Sequence, residues 1–324
     1  MQNSARLIAL DWGTSSLRAY LLGEAGAVLD KRQLPWGIMN LPEIAAGDRS
    51  YGFEQAFKEA CGDWLAAAGS TPLPVIAAGM VGSAQGWREA AYLEVPLPVA
   101  GIGQGLATIA TRSGATLHIV PGLLQRAGLP NVMRGEETQV VGALAGMSAR
   151  DADDVLIGLP GTHSKWVRVQ QNRIAHFDTF MTGEVYAALS AHTILGRTMQ
   201  RGAPFNAESF ARGAGVALSS AGINGPLSTI FSSRTLGLTG ELDGAAQADY
   251  LSGLLIGHEI AALRASRAQQ GLAPNPRIVL IGDESLCARY RQALELQGLD
   301  NAVIAAQATE RGLWKIAQQA GLLT

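Results

Sequence analysis

Short apolar runs of strand length alternate along this chain with longer stretches of helical periodicity, and glycine turns punctuate both. Residues 7–10 are continuously apolar, 17–22 and 28–34 follow as further strand-like runs, and 23–26 turns between those two. The pattern predicts an antiparallel meander with residues 11–15 at its first tip. Phe57, Cys61, Trp64 and Leu65 recur at helical spacing, which predicts a helix over 54–68 ended by Pro72 and Pro74. Strands are expected at 75–78, opening onto Gly79-Met80-Val81-Gly82-Ser83, and at 117–120, and a helix over 136–147. In the second half an apolar strand at 155–159 enters another turn and a second strand follows it. Residues 170–173 then turn the chain into a strand at 174–180. Helices are expected over 183–195, 245–270, 288–296 and 310–320, with one more strand at 277–281.

The two hairpin tips share a skeleton. The first reads Asp11-Trp12-Gly13-Thr14-Ser15 and the second Leu159-Pro160-Gly161-Thr162-His163, so that both the glycines and the threonines stand 148 residues apart. Glycine lets backbone turn sharply and approach a ligand closely, while hydroxyls and successive N–H groups suit phosphate oxygens. One Gly-Thr turn is ordinary punctuation between strands. Two at matching depth in two halves predict a nucleotide clamp, with Gly13, Thr14, Ser15, Gly161 and Thr162 gripping a polyphosphate from both sides.

At 324 residues the chain exceeds a single core. The charged stretch 148–154 is the expected boundary, giving lobes 1–152 and 153–324, with the last helix packing back toward the first lobe. A composition of 48% hydrophobic and 16% charged residues suits a packed globular protein. The net charge of −2, with scattered Lys and Arg, argues against nucleic acid as a partner. Cys61 and Cys287 are too few for a disulfide framework and are expected as buried thiols. No signal-peptide pattern precedes the first strand and no apolar stretch reaches membrane-spanning length, so no membrane and a cytoplasmic setting are expected. The oligomeric state is left open, a homodimer among the options.

Asp11 ends a buried strand beside the first turn, where it either caps that turn or anchors a Mg²⁺ that bridges phosphate oxygens. Glu136 and Glu137 open a helix after Arg134-Gly135. Acidic residues suit a first helical turn through the macrodipole alone. Phosphoryl transfer to an alcohol also needs a carboxylate within reach of the attacking hydroxyl, so one of the pair is the candidate base, Glu136 preferred. Gly282-Asp283-Glu284-Ser285 follows a strand and opens a helix, and could hold adenine and ribose or serve as an ordinary capped loop. Lys165, just past the second turn beside His163, could meet a phosphate or a substrate carboxylate. The five histidines show no zinc-ligand spacing, and neither G-x-x-x-x-G-K-S/T nor a protein-kinase motif set is present. Gly101-Ile102-Gly103-Gln104-Gly105 has the wrong spacing for a dinucleotide fingerprint and follows Pro96 and Pro98 where a strand is required.

The ordered set of Asp-x-Gly-Thr-Ser hairpin, Gly-Glu-Glu before a helix, second Gly-Thr hairpin and late strand–helix turn resembles the actin/Hsp70/sugar-kinase superfamily. More closely, the chain is similar to the 2-dehydro-3-deoxygalactonokinases, over 10–18, 79–96, 133–142, 159–166, 177–184 and 250–259. The resemblance implies an α/β, two-lobed actin-like (ribonuclease H-like) fold, with a mixed sheet flanked by helices in each lobe. It implies ATP-dependent phosphorylation of 2-dehydro-3-deoxy-D-galactonate on its terminal hydroxyl, in galactonate breakdown. Asp11 and Gly13–Ser15 match the first phosphate motif, Gly161–Thr162 the second and Gly282–Ser285 the adenosine motif. Ser83, Trp87 and Arg134 stand where sugar-acid contacts are expected, and Arg134 can pair a carboxylate. Two departures are visible: many relatives carry Asp where this chain offers Glu136 or Glu137, and the adenosine motif usually pairs glycines where Gly282 is followed by Asp283.

The expectation is a sugar-acid kinase using ATP and Mg²⁺, with lobes that close to exclude water. Its rivals are a polyphosphate or guanosine-polyphosphate phosphohydrolase of the same superfamily, a non-catalytic sugar-responsive regulator, and a filament-forming ATPase.

Overall fold

A computed structural model describes residues 4–42, 48–69, 72–148, 152, 154–200 and 202–323, so the charged stretch expected to divide the chain lies partly outside the described residues. The chain forms two compact units. The first comprises Met1–Asp153, Val167–Phe177 and Ala305–Thr324, the second Asp154–Trp166 and Asp178–Ile304.

The first unit contains β1 (Leu7–Trp12), β2 (Leu17–Leu22), β3 (Val28–Leu34), α1 (Arg49–Ala67), β4 (Val75–Ala78), β5 (Tyr92–Glu94), β6 (Leu97–Pro98), β7 (Ala107–Ala110), β8 (Thr116–Ile119), β9 (Gly122–Gln125), β10 (Asn131–Met133) and α2 (Glu136–Ala145). Its main sheet runs β3-β2-β1-β4-β8-β7. The meander is antiparallel, Asp11 lying opposite Arg18, while β4 pairs with β1 in parallel, Asp11 opposite Ala78. Residues 7–10 are fully buried because this strand is central and covered on both faces, which is why they read as a continuous apolar run. The helix expected over 54–68 begins at Arg49, because the Asp48 side chain accepts the Ser50 N–H at 2.9 Å and caps it. That extra turn brings Phe53 into the core against Trp12 and Trp87. Pro98 lies on β6, opposite Arg173 at an edge where a missing N–H is tolerated, and the Gly101-Ile102-Gly103 run lies in a 3₁₀ turn over Val99–Gln104.

The second unit is built from β11 (Asp154–Leu159), β12 (Ser164–Gln170), β13 (Arg173–Phe180), α3 (Thr182–His192), α4 (Ala207–Gly215), α5 (Pro226–Thr229), α6 (Ser232–Leu238), α7 (Gly244–Gln269), β14 (Arg277–Leu280), α8 (Glu284–Leu296) and β15 (Ala302–Ile304). Residues 167–177 of β12 and β13 count with the first unit, as does α9 (Ala308–Gln319). The strand order is β15-β14-β11-β12-β13, with β11, β14 and β15 parallel. Leu156, Trp166, Phe210, Ile256, Ile260, Ile278 and Leu280 form the core between this sheet and its helices. Gln171 and Asn172 both take left-handed backbone in the expected turn at 170–173. Helix α3 stops at His192, where the Thr193 side chain accepts the Leu195 N–H, and α8 begins four residues before the expected 288 because Asp283 caps it.

Two helix seams close backbone to backbone. In the first unit a side chain on Gly142 of α2 would meet Ala308 O at 1.8 Å, and one on Gly312 of α9 would meet Thr138 O at 1.9 Å. In the second, Gly213 of α4 faces Tyr250 O at 2.0 Å and Gly253 of α7 faces Phe210 O at 2.0 Å.

Candidate active site

In the first unit three turns meet at the C-terminal ends of β1 and β4. Gly13 N–H donates to Ser16 O at 3.0 Å to close the first tip, leaving Thr14 and Ser15 exposed. The Ile38 and Met39 N–H groups donate to the carbonyls of Gly13 and Thr14, both at 3.1 Å, and strap the tip from below. Gly79 lies so close that a Cβ there would stand 2.8 Å from Trp12 O, and Gly135 lies against Gly79 in turn. Both take positive φ, so the turn before α2 and the turn after β4 reach the first tip only as glycines. Asp11, Gly13–Ser15, Gly79–Ser83 and Arg134–Glu137 are thereby brought to one place.

Each side chain there is held by a distinct contact. Asp11 accepts from Arg18 Nη1 at 3.1 Å, and burial pushes its carboxyl up against the pull of that guanidinium. Glu136 turns back to accept the Arg134 N–H at 3.0 Å and stays half-buried. Glu137 is fully buried, accepts the Gly135 N–H at 2.6 Å and the Thr138 hydroxyl at 3.0 Å, and is pushed up to about 8 by desolvation and the neighbouring Glu136 charge. Arg134, 9% exposed, donates from Nη2 to Ala90 O at 2.8 Å and lies over the Tyr92 ring, while its Nε and Nη1 have no hydrogen-bond partner. Its Nη1 lies beside Gly82. The Ser83 hydroxyl donates to Met80 O at 2.8 Å. Trp87 packs into the aromatic cluster of Trp12, Phe53 and Phe57, stacked on Phe53 at 5.7 Å, so much of its indole surface is taken by the core.

In the second unit the Gly161–Thr162 turn is open: a Cβ on Gly161 would meet nothing within 4 Å. The start of α3 lies on this turn, since a Cβ on Gly183 would stand 2.4 Å from Gly161 O, and the Glu184 N–H donates to Thr162 O at 3.1 Å. Gly282 packs near Pro160 O, so the strand–helix turn at 282–285 is a neighbour of the Gly-Thr turn. A cavity of about 350 Å³ runs from Gly161 and Thr162 between α7 and α8, with Leu255, Ile256, Leu286 and Arg289 in its walls. Asp283 is used as the α8 cap, accepting from Leu286 N–H at 3.0 Å and Ser285 Oγ, which hold its carboxyl below the usual range. Glu284 is exposed in the first turn of α8. Lys165 is buried rather than solvated and donates to Thr179 Oγ1 at 2.7 Å, and His163 pairs with Glu184 at the surface.

The family described as 2-keto-3-deoxy-galactonokinase matches residues 11–316 of the chain. The chain belongs to the 2-keto-3-deoxy-galactonokinase family. Among its relatives, a Rhizobium meliloti (strain 1021) protein named DgoK1, a probable 2-dehydro-3-deoxygalactonokinase, is 40% identical over 97% of both chains. The Escherichia coli (strain K12) 2-dehydro-3-deoxygalactonokinase is 35% identical over 97% of this chain and 98% of its own. A crystal structure from Sinorhizobium meliloti carried under the same name superposes with a TM-score of 0.82 at 37% identity, covering 96% of this chain and 98% of that one. Membership makes the chain a sugar-acid kinase, its fold is α/β, and the phosphohydrolase and regulator readings are displaced. The 2-keto-3-deoxy-galactonokinase match spans every residue singled out from the sequence, from Asp11 to Glu284. Sequence reasoning gave no role to the α7 and α8 side chains of the cavity or to Glu259: the 250–259 match includes Leu255, Ile256 and Glu259, but nothing in it names what they face, and Leu286 and Arg289 lie outside the matched segments.

Proposed function

We propose that this chain transfers the γ-phosphoryl group of ATP to the terminal hydroxyl of 2-dehydro-3-deoxy-D-galactonate, giving the 6-phosphate, in the cytoplasm and within galactonate breakdown. The observation that carries the reading is the open Gly161–Thr162 turn at the mouth of the cavity between α7 and α8. In this reading the turn and the N-terminus of α3 take phosphate oxygens, the apolar walls take the base, and Gly282, Asp283 and Glu284 lie toward the ribose. Gly13, Thr14 and Ser15 offer further phosphate ligands. Asp11 suits Mg²⁺: among the described residues no cluster of three or more acidic, His or Cys side chains could hold a metal, and Mg²⁺ at a nucleotide wants one or two carboxylates with phosphate and water. Bound there, Mg²⁺ supplies charge neutralisation at the phosphates. The first unit, which contains the expected lobe 1–152, is assigned the sugar acid, and the second, drawn from within 153–324, the adenosine.

Arg134 supports the sugar-acid half. A buried guanidinium with two of its nitrogens unsatisfied is destabilising until an acceptor arrives, and the carboxylate of a sugar acid is such an acceptor. Ser83 adds a hydroxyl beside it, and Lys165 and Trp87 are secondary contacts in this scheme. Glu136, half-buried and at the start of α2, accepts the proton of the attacking hydroxyl, while Glu137 holds the Gly135 turn. A coupled ATP-consumption assay over a panel of 2-keto-3-deoxy sugar acids tests the scheme. Glu136→Gln is expected to lower kcat by roughly 10²–10⁴ with KM for ATP little changed. Full turnover in Glu136→Gln removes this base, and ATP consumption without any acceptor removes the kinase reading in favour of hydrolysis.

A further inference from the structure

Glu259 lies in the middle of α7 and is 3% exposed. Donors from three other elements converge on its carboxylate. Trp166 Nε1 on β12 donates to Oε1 at 2.7 Å, the Tyr290 hydroxyl on α8 donates to Oε2 at 2.7 Å, and the Thr182 hydroxyl at the start of α3 also donates to Oε2. Ser164 extends the network, with its Oγ 2.7 Å from the Tyr290 hydroxyl and 3.5 Å from Gly161 O. Burying a carboxylate among neutral partners is expensive, and a well-packed apolar side chain would fill the same volume at less cost. What the carboxylate adds is direction: it fixes three side chains whose elements border the Gly161 turn and the cavity.

The link to the turn is short. Thr182 is held by Glu259, Gly183 rests on the Gly161 carbonyl, and the Glu184 N–H donates to Thr162 O. Any shift of the α3 start therefore moves one wall of the turn. We infer that Glu259 is a positioning residue that sets the spacing of the phosphate seat by tying Trp166, Thr182 and Tyr290 to one carboxylate. The inference rests on the Gly161 turn being that seat. Glu259 does not itself reach the nucleotide; it acts through α3, β12 and α8.

Steady-state kinetics on a short variant series tests this. Thr182→Val removes one donor while keeping side-chain shape, and is expected to raise KM for ATP roughly tenfold with kcat and the sugar-acid KM near wild type. Thr182→Ser restores the hydroxyl and is expected to recover the wild-type value. Glu259→Leu should match or exceed Thr182→Val, and Glu259→Gln should recover most of that loss, since an amide can accept from Trp166 and donate to both hydroxyls, which reverse. Unchanged KM for ATP in Thr182→Val overturns the inference, as does a Thr182→Ser variant as impaired as Thr182→Val. Should Glu259→Leu not fold, Trp166→Phe takes its place, since Trp166 donates to Glu259 without lining the cavity, and an unchanged KM for ATP there overturns the inference. Gly161→Ala separates this from the parent reading, because its methyl group meets no protein atom and would obstruct only a ligand. An impaired Gly161→Ala beside a normal Thr182→Val sinks only the positioning role, whereas a normal Gly161→Ala sinks the seat itself.

Discussion

Glu137 and Glu259 carry carboxyl groups into surroundings that disfavour charge, and both are pushed up by burial, to about 8 and about 7. In the unfolded chain each titrates near the ordinary carboxylate value, so between roughly pH 4.5 and 8 the folded state binds more protons than the unfolded one. Stability from these groups is therefore complete in acid and lost as pH rises through the folded values. Urea unfolding across pH 5 to 8.5 should show stability falling by a few kcal/mol with rising pH, and Glu137→Gln should flatten that slope. A slope of opposite sign in the wild type, or one untouched by Glu137→Gln, contradicts the burial account. The same pair shows what a sequence can disclose about single residues. Glu137 stood out because it is one of two consecutive acidic residues that open a helix. Glu259 lies in the matched segment 250–259 yet its role stayed hidden, because Trp166, Thr182 and Tyr290 come from distant parts of the chain.

Among elements, the long or strongly patterned ones were legible and the short ones were not. The meander, α7 and the strand at β14 follow from continuous or alternating apolar runs. Strands of two to four residues such as β5, β6 and β10 are held by neighbours rather than by their own pattern, and the short helices α5 and α6 lie in a Gly- and Ser-rich stretch. Helix starts slipped where Asp48 and Asp283 act as caps several residues ahead of the apolar repeat. The glycine seams were invisible because spacing within one helix does not name its partner. They have a measurable consequence. Gly312→Ala places a methyl group 1.9 Å from Thr138 O, so α9 must move off α2, costing about 1–3 kcal/mol and several degrees in Tm. Because α2 carries Glu136, kcat should fall as well, although residue 312 lies on another helix. An unchanged Tm would show that the seam yields freely.

For the whole molecule, the family was readable because motifs appear in order over most of the chain, and the match over residues 11–316 agrees with that order. The contacts of individual residues were less readable, since Thr179 beside Lys165 and Phe53 beside Trp87 are partners that composition and spacing do not name, whereas the Asp283 cap was one of the two options open at 282–285. If each unit holds its own ligand, hydrogen exchange should report them separately. A non-hydrolysable ATP analogue is expected to slow exchange at 161–164 and 182–186, and the sugar acid at 82–90 and 131–137, each stabilising by about 2.7 kcal/mol at a hundred times its Kd. Protection of the sugar-acid segments by nucleotide alone would break that assignment. The placement of α9 in the first unit also bears on how the protein is made. About 160 residues separate the end of α2 from the start of α9, so at cellular elongation rates the nascent chain waits roughly 10–30 s before the helix bearing Glu136 acquires its cover. During that interval an apolar flank stands open to chaperones, and translation halted short of Ala308 yields a polypeptide with both Gly-Thr tips but an unanchored Glu136.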